Sequence, residues 1–159
     1  GIYGPAFELC ENTPIKPGSE EYLNSEKYQL RHWNVEEPQN LQTLIARVNE
    51  LRRVHPALHS NRSLHFHPTD QKFLICYSKT DLQNKDVILV VVNLHHQDTE
   101  AGWVTLDLAE LGILANQAFR VQDLLTGQEY DWSGARNYIQ LGAGRSHIFH
   151  VKTGTASTA

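Results

Sequence analysis

The sequence predicts a mainly β protein, in which an antiparallel β-sandwich follows a long loop and one amphipathic helix. Three observations support this prediction. Residues 1–37 are mostly polar and are interrupted by proline and glycine, residues 38–55 have helical periodicity, and residues 61–153 contain seven or eight short apolar segments. Short strands separated by frequent turns are typical of an antiparallel sandwich.

The composition is that of an ordinary globular protein and argues against two kinds of partner. Of the 159 residues, 40% are apolar and 20% are charged. The formal net charge of −4 argues against nucleic acid, because phosphate binding usually requires a basic surface. No apolar run approaches the ~18 residues of a membrane span, and no basic-then-apolar leader pattern indicates secretion. We therefore expect a cytoplasmic protein without a membrane or nucleic-acid partner.

The first 37 residues do not have the pattern of an independent unit. Gly1–Pro5 is interpreted as the end of a strand, because glycine and proline punctuate it. A polar stretch then continues to Glu37, and a loop of this length is usually functional or unpacked. The chain begins at Gly1 and contains no methionine, so we expect it to be part of a larger protein.

From Pro38 the pattern becomes that of an amphipathic helix. Pro38 suits the first helical turn, where a missing N–H costs nothing, and Pro56 is expected to end the helix near His55. Because an apolar stripe must be covered, the helix is expected to dock on another part of the protein. The residues of the stripe are Leu41, Leu44, Ile45, Val48 and Leu51.

The rest of the chain is predicted to form short strands. Val87–Val92 is a β-branched run that suits a strand buried on both faces. In Ala118–Asp123, Phe119 and Val121 alternate with polar residues and are expected to face the core. The other predicted strands are Leu64–Phe66, Phe73–Ser78, Trp103–Leu108, Glu129–Tyr130, Tyr138–Leu141 and His147–Val151.

The two cysteines, Cys10 and Cys76, are far apart in the sequence. Cys76 lies inside an apolar run, and cysteine is sparse in a chain without a secretion signal. Disulfides are rare in cytoplasmic proteins. We therefore expect two buried thiols.

Nine histidines raise the question of a metal site. His65 and His67 are two apart on a predicted strand and so share a face, and His95 and His96 follow another strand. Zinc requires three or four converging ligands, and the sequence has neither a third cysteine nor a helical H-x-x-x-H pair to join these residues. We expect no metal and no cofactor.

Carboxylates and aromatic residues raise two carbohydrate-related interpretations. A catalytic carboxylate pair must be held rigidly on either side of one glycosidic bond, so glutamates in the first loop are expected to be solvated. Aromatic rings can stack on sugars, yet a sandwich also buries rings in its core, and both interpretations stay open. The glutamates are Glu8, Glu11, Glu20, Glu21 and Glu26, and the aromatic residues are Trp33, Trp103, Tyr130, Trp132 and Tyr138.

Segments along nearly the whole chain match the sequence motifs of one known protein family. The first matching segments are Gly1–Tyr3, Phe7–Asn12 and Pro17–Tyr28. The part from Ser19 to Tyr28 is the most specific to the family. More general segments are Arg52–Leu58, Leu64–His67, Val90–Leu94, Leu124–Gly127 and Asn137–Tyr138. Together they resemble the α-1,4-glucan:maltose-1-phosphate maltosyltransferases, a branch of the α-amylase superfamily.

The resemblance implies a domain organisation. Members of the family have a (β/α)₈ barrel, whose loops build the active site, followed by an antiparallel sandwich. Residues 1–60 would be the end of the eighth barrel strand, its long loop and the closing helix. Residues 61–153 would be the α-amylase-type C-terminal sandwich, and residues 154–159 a disordered tail. The apolar helix stripe would then pack on the remainder of the barrel.

The resemblance also implies an activity. The family transfers maltosyl units from maltose 1-phosphate to α-1,4-glucan, with retention and through a covalent glycosyl-enzyme. The lysine and tyrosine of its Ser-Glu-Lys-Tyr motif contact the donor phosphate, which implies substrate phosphate binding for Lys27 and Tyr28. The family's catalytic aspartate and glutamate come from earlier barrel strands. This chain alone is therefore expected to be non-catalytic, and its parent to be a homodimer, as is usual in the family.

Two alternatives stay open at this point. The chain resembles, in its more general segments, the last domain of any α-amylase-superfamily enzyme, which includes hydrolases and branching enzymes. A non-catalytic sandwich that binds glucan would also account for the aromatic residues.

Overall fold

The computed structural model describes residues 4–23, 30, 32–36, 40–83 and 85–152. It divides the chain into two units, Gly1–Glu50 and Leu51–Ala159. The predicted tail at 154–159 and the strand end predicted for the first residues, apart from Gly4 and Pro5, lie outside the described ranges. The predicted domain boundary near residue 60 stays a prediction.

The first unit begins with a short helix, α1 (Gly4–Glu8), at the point where a strand end was expected. The loop that follows is pinned by an isolated antiparallel bridge between Pro14 and Tyr22. Around this bridge, the Ile15 amide donates to the Glu21 carbonyl at 2.8 Å and the Leu23 amide to the Thr13 carbonyl at 2.7 Å. The polar loop is thus held in a hairpin-like turn over its first half.

The predicted amphipathic helix is α2 (Gln42–Val54). The Asn40 side chain accepts a hydrogen bond from the Gln42 amide at 3.0 Å, in the manner of a helix cap. A short 3₁₀ helix, Pro56–His59, follows directly, with proline at its start. This confirms the predicted end of the helix near His55.

In the described part of the second unit, eight antiparallel strands form two sheets. One sheet has six strands in the order β1-β2-β3-β8-β5-β6, and the other pairs β4 with β7. The prediction of a mainly β, antiparallel sandwich is confirmed. The strands are β1 (His65–His67), β2 (Leu74–Asp81), β3 (Asp86–Asn93), β4 (Glu100–Thr105), β5 (Ala118–Asp123), β6 (Glu129–Ser133), β7 (Arg136–Leu141) and β8 (Ser146–Lys152).

The main core lies between the two sheets. Phe149 of β8 and Val91 of β3 are buried from the larger sheet, and Val104 of β4 and Ile139 of β7 from the smaller one. A second, smaller cluster forms on the other face of β3, where Ile88 and Val90 pack with Ala57 of the 3₁₀ helix. β3 is therefore covered on both faces, as its β-branched sequence predicts.

One predicted strand is displaced along the chain. The segment expected at Trp103–Leu108 is a strand only up to Thr105. Beyond it, the Asp107 carboxylate accepts hydrogen bonds from the Ala109 and Glu110 amides at 3.1 and 3.3 Å, which turns the backbone away from the sheet. Leu106 is nevertheless buried, so the apolar alternation reflects packing beyond the end of the strand.

The cysteine prediction is correct for one residue and wrong for the other. Cys76 on β2 is buried, and burial raises the pKa of its thiol to about 12. Cys10 is exposed, because it lies in the turn after α1 and not in an apolar segment. Both are free thiols.

Across the described ranges, no helix has the length and apolar character needed to span a bilayer.

A buried amide ties the two sheets together at one end. Asn93, the last residue of β3, is 1% exposed. Its side-chain nitrogen donates to the carbonyls of Asp98, Leu141 and Gly142 at 2.9, 3.1 and 2.9 Å, and its oxygen accepts from the His95 amide at 2.8 Å. The residue therefore fixes the turn after β3 against the end of β7.

We predict that Asn93→Ala lowers the free energy of unfolding by about 2–4 kcal/mol, because several partly buried carbonyls lose their donor. Urea denaturation measures this change. The exposed neighbour Gln97 provides the control, since Gln97→Ala should change stability by less than about 0.5 kcal/mol. Equal losses in the two variants would contradict the role assigned to Asn93.

Candidate functional site

The residues expected to contact a phosphate, Lys27 and Tyr28, lie outside the described residues, and so does Glu26. The assignment of Lys27 and Tyr28 therefore stays a prediction. The described part of the same motif is Ser19–Leu23, where the Ser19 hydroxyl accepts a hydrogen bond from the Glu21 amide at 3.1 Å. Glu20 and Glu21 are exposed, as expected for glutamates in a solvated loop.

Three of the predicted aromatic residues meet in a cleft of about 250 Å³, which we call the aromatic cleft. It lies where β6, the edge strand of the larger sheet, approaches β7 of the smaller sheet. Tyr130 is 37% exposed and Tyr138 is 53% exposed, whereas Phe149 is buried beneath them. The lining residues are Tyr130, Trp132, Tyr138, Ile139, Gln140, His147 and Phe149.

The rings of the aromatic cleft are fixed by contacts with one another. Tyr130 and Trp132 meet Phe149 edge to face, with ring centroids 5.9 and 5.4 Å apart, the arrangement that aromatic pairs prefer. The Tyr130 hydroxyl also donates to the Gln128 side chain at 2.7 Å. Tyr138 contacts the Trp103 ring at 5.4 Å. Four of the five predicted aromatic residues are thus in or beside the cleft, and the fifth, Trp33, belongs to the other unit.

A buried carboxylate contacts one of the residues that line the aromatic cleft. Asp123 is fully buried and lies 3.0 Å from His147 Nδ1. Burial alone would raise the pKa of Asp123, but hydrogen bonds from His147, Thr126 and Leu125 more than offset this effect and lower it. An ionised Asp123 therefore fixes the orientation of the His147 ring in the cleft wall.

Of the two histidines of β1, His67 has both ring nitrogens in hydrogen bonds. The rings of His65 and His67 lie 4.9 Å apart, on one side of the strand as predicted. His67 is buried, with Nε2 2.8 Å from the Ser78 hydroxyl and Nδ1 accepting from the Asp107 amide at 3.1 Å. Both nitrogens of His67 are therefore engaged in holding β1, β2 and the turn after β4 together.

The other predicted histidine pair also has a structural role. His95 and His96 are stacked with ring centroids 5.8 Å apart. His95 Nδ1 accepts a hydrogen bond from the Asp98 amide at 2.9 Å. This contact closes the turn between β3 and β4.

A different group of residues has the geometry of metal ligands. Among the residues that the structure describes, potential ligand atoms of His55, Asp86 and His150 all lie within 4.8 Å of one another. Sequence reasoning did not bring them together, because they come from the end of α2, the start of β3 and the middle of β8. The cluster would have been found only from the register of β3 against β8. In that register Ile88 pairs with His150, and Asp86, two residues before Ile88, lies on the same face of β3.

The sequence of this chain matches a protein family over residues 66–151, and the description of that family is "GLGE, C-terminal". Two similar curated proteins are α-1,4-glucan:maltose-1-phosphate maltosyltransferases 2 and 1 of Streptomyces coelicolor. The first is 47% identical over 100% of this chain and 24% of its own length, and the second is 47% identical over 96% and 22%. The chain thus spans about a quarter of the length of these relatives.

Solved structures resemble the fold at low sequence identity. A noncanonic maltogenic α-amylase, AmyB of Thermotoga neapolitana, superposes with a TM-score of 0.56 at 14% identity. The match covers 86% of this chain and 29% of that protein. This similarity supports the α-amylase-type architecture of the sandwich.

We predict that His67 makes stability depend on pH. Burial, together with repulsion from His65, lowers the pKa of His67 from 6.5 to about 4, and the attraction of Asp107 offsets only part of this. The folded state therefore binds fewer protons than the unfolded state between these values. Stability should be fully present above pH 6.5 and should fall by up to about 3 kcal/mol toward pH 4.

Urea denaturation of wild type and His67→Gln between pH 4 and 7.5 tests this dependence. The variant keeps a polar side chain but does not titrate, so its stability should vary less over this range. The matched control is His96→Gln, which removes an exposed histidine and should retain the wild-type slope. An unchanged slope in His67→Gln would contradict the prediction.

Proposed function

The chain belongs to the family described as "GLGE, C-terminal", and from this premise we propose that it is the C-terminal part of an enzyme that transfers maltosyl units from maltose 1-phosphate to α-1,4-glucan. The observation that carries the proposal is 47% identity to a maltosyltransferase over the whole chain. This similarity includes the first 65 residues, which precede the family match. The loop and helix of the first unit are therefore related to the same enzymes as the sandwich.

We propose that Lys27 and Tyr28 contact the phosphate of the donor. An ammonium group and a phenol can both donate to phosphate oxygens. Donors placed where charge develops lower the barrier of the step, and negative charge develops on the phosphate as the glycosidic bond breaks. The two residues would therefore act on formation of the glycosyl-enzyme more than on its subsequent transfer to glucan.

The catalytic carboxylates are proposed to lie in the remainder of the enzyme. A retaining mechanism needs a nucleophile and an acid/base about 5–5.5 Å apart, on either side of one bond. In barrel enzymes such residues come from the ends of several strands. This chain would contribute one wall of the donor site and a supporting sandwich, and it would have no activity alone.

The remainder of a barrel is the proposed partner of helix α2. Leu44 is 49% exposed, and Ile45 and Val48 of the same stripe are only partly buried. An apolar stripe that is left in water favours packing on a complementary surface. A homodimeric parent and a cytoplasmic location are further parts of this proposal.

We predict that Lys27→Ala in the full-length enzyme lowers kcat/KM for maltose 1-phosphate by about 10²-fold, the usual effect of losing one charge-stabilising donor. With maltosyl fluoride, whose leaving group carries no phosphate, the loss should be less than about threefold on the same reasoning. Lys16→Ala, which changes an exposed lysine of the same loop, is the control and should leave both donors unaffected. Equal losses with the two donors would argue against a phosphate contact.

A second candidate function is glucan binding by the sandwich itself, and the aromatic cleft favours it. Sugar rings stack on accessible aromatic faces, and Tyr130 and Tyr138 are both accessible. Gln140 and His147 add polar groups to the lining, as ligand sites usually combine apolar walls with a few polar groups. Such a surface would hold an acceptor glucan on the sandwich.

For this candidate we predict that maltoheptaose binds to the chain and that Tyr138→Ala weakens binding by about tenfold, the effect expected when a stacking contact of ~1.4 kcal/mol is lost. Isothermal titration calorimetry measures the change. The control is Phe66→Ala, because Phe66 is 58% exposed and belongs to β1, at the opposite edge of the larger sheet. No measurable binding, or an equal loss in both variants, would contradict glucan binding in the cleft.

A further inference from the structure

We propose that His55, Asp86 and His150 form a binding site for a divalent transition-metal ion with the ligand preferences of zinc. His55 Nδ1 lies 2.8 Å from Asp86 Oδ1, and His150 Nε2 lies 3.4 Å from the same oxygen. The potential ligand atoms of all three residues lie within 4.8 Å of one another. Two imidazoles and one carboxylate form a recognised ligand set for zinc, with a water completing the coordination.

The backbone places these residues together without a flexible loop. Asp86 is the first residue of β3, and His150 lies on the adjacent strand β8, opposite Ile88. His55 precedes the 3₁₀ helix, whose Ala57 is buried against Ile88 and Val90 of β3. All three ligands are therefore attached to the packed second face of the larger sheet.

The carboxylate is held in the orientation that a metal site requires. Asp86 Oδ2 accepts a hydrogen bond from the Ala57 amide at 2.9 Å, which leaves Oδ1 directed at both histidines. The Asp86 side chain is 8% exposed. Hydrogen bonds of this kind, made by the oxygen that does not bind the ion, orient ligands and strengthen metal binding.

The distances suit the ion after a small adjustment. Ligand atoms about 2.0–2.1 Å from a tetrahedral zinc ion lie about 3.3 Å apart. The separation of His150 Nε2 and Asp86 Oδ1, 3.4 Å, already matches this value. The 2.8 Å contact of His55 with Asp86 has the length of a hydrogen bond. It would lengthen by roughly half an ångström when the ion replaces the shared proton.

Access and charge are also compatible with an ion. The side chains of His55 and His150 are 15% and 28% exposed, so an ion and its water ligand would reach the cluster from the histidine side. The nearby cation Lys152 is paired with Glu129 at 2.6 Å. Asp86 carries the negative charge that offsets part of the charge of the ion.

The competing explanation is a hydrogen-bonded cluster that holds no metal. In that case both imidazoles donate to Asp86 and the site has only a structural role. His147 and Asp123 form a pair of this kind, since they lie 3.0 Å apart and no third potential ligand joins them within the described part of the chain. Metal binding distinguishes a set of three ligands from such a pair.

The test is titration of the metal-free chain with Zn²⁺ by calorimetry, and with Co²⁺ by visible absorption. We expect one equivalent of Zn²⁺ and a Co²⁺ spectrum of tetrahedral type. His55→Ala, His150→Ala and Asp86→Asn should each weaken binding by at least about 10-fold, since even changes in supporting partners cost this much. Asp86→Asn retains an acceptor for the Ala57 amide. His147→Ala is the matched control and should bind as wild type does.

A measurement on wild type, assigned with the milder glutamine variants, makes the test independent of whether the alanine variants fold. Zn²⁺ should shift the ring resonances of two histidines in the NMR spectrum, and these should be the signals that His55→Gln and His150→Gln remove. The proposal is overturned if wild type binds no stoichiometric Zn²⁺. It is also overturned if the signals that shift belong to other histidines, or if the loss of affinity is the same in His147→Ala.

Discussion

The fold of the second unit depends on burial of the apolar face that its two sheets share. A sheet of two strands is marginal by itself in water, so β4 and β7 persist only because Val104 and Ile139 are covered by the larger sheet. The larger sheet in turn needs that cover for Val91 and Phe149. Each sheet is therefore needed for the stability of the other. Only the faces that do not take part in this contact remain available for binding.

The polar residues inside this unit are placed where the apolar packing leaves backbone groups without partners. Asn93 donates to carbonyls in the turn after β3 and at the end of β7. Asp123 accepts a hydrogen bond from the Leu125 amide in the turn after β5, and Asp86 accepts one from the Ala57 amide. A buried polar group is stabilising only when it is satisfied. Asp123 and Asp86 also lie next to histidines. The carboxylates that bind these backbone amides are therefore also candidates for a chemical role.

Local sequence patterns predicted most strands, whereas contacts between distant segments could not be predicted. The β-branched run of β3, and the alternation of Phe119 and Val121 with polar residues in β5, indicate directly which side chains are buried. The exposure of Cys10 could not be predicted, because it results from the turn that follows α1 and not from an apolar pattern. The convergence of His55 with Asp86 and His150 depends on the pairing of β3 with β8, and local patterns do not show which distant strands pair. Lys27 and Tyr28 were identified by family resemblance, since one lysine next to one tyrosine is not a distinctive sequence pattern.

A metal ion bound by His55, Asp86 and His150 would act where the chain passes from helix to sheet. Ala57 follows His55 by two residues and is buried against β3, so the ion would join this segment to two central strands. Any ligand that binds only the folded state stabilises it, by an amount that rises with ligand concentration. Because the transfer chemistry is proposed to use carboxylates elsewhere in the enzyme, the ion would contribute to the attachment of the 3₁₀ helix and not to glycosyl transfer.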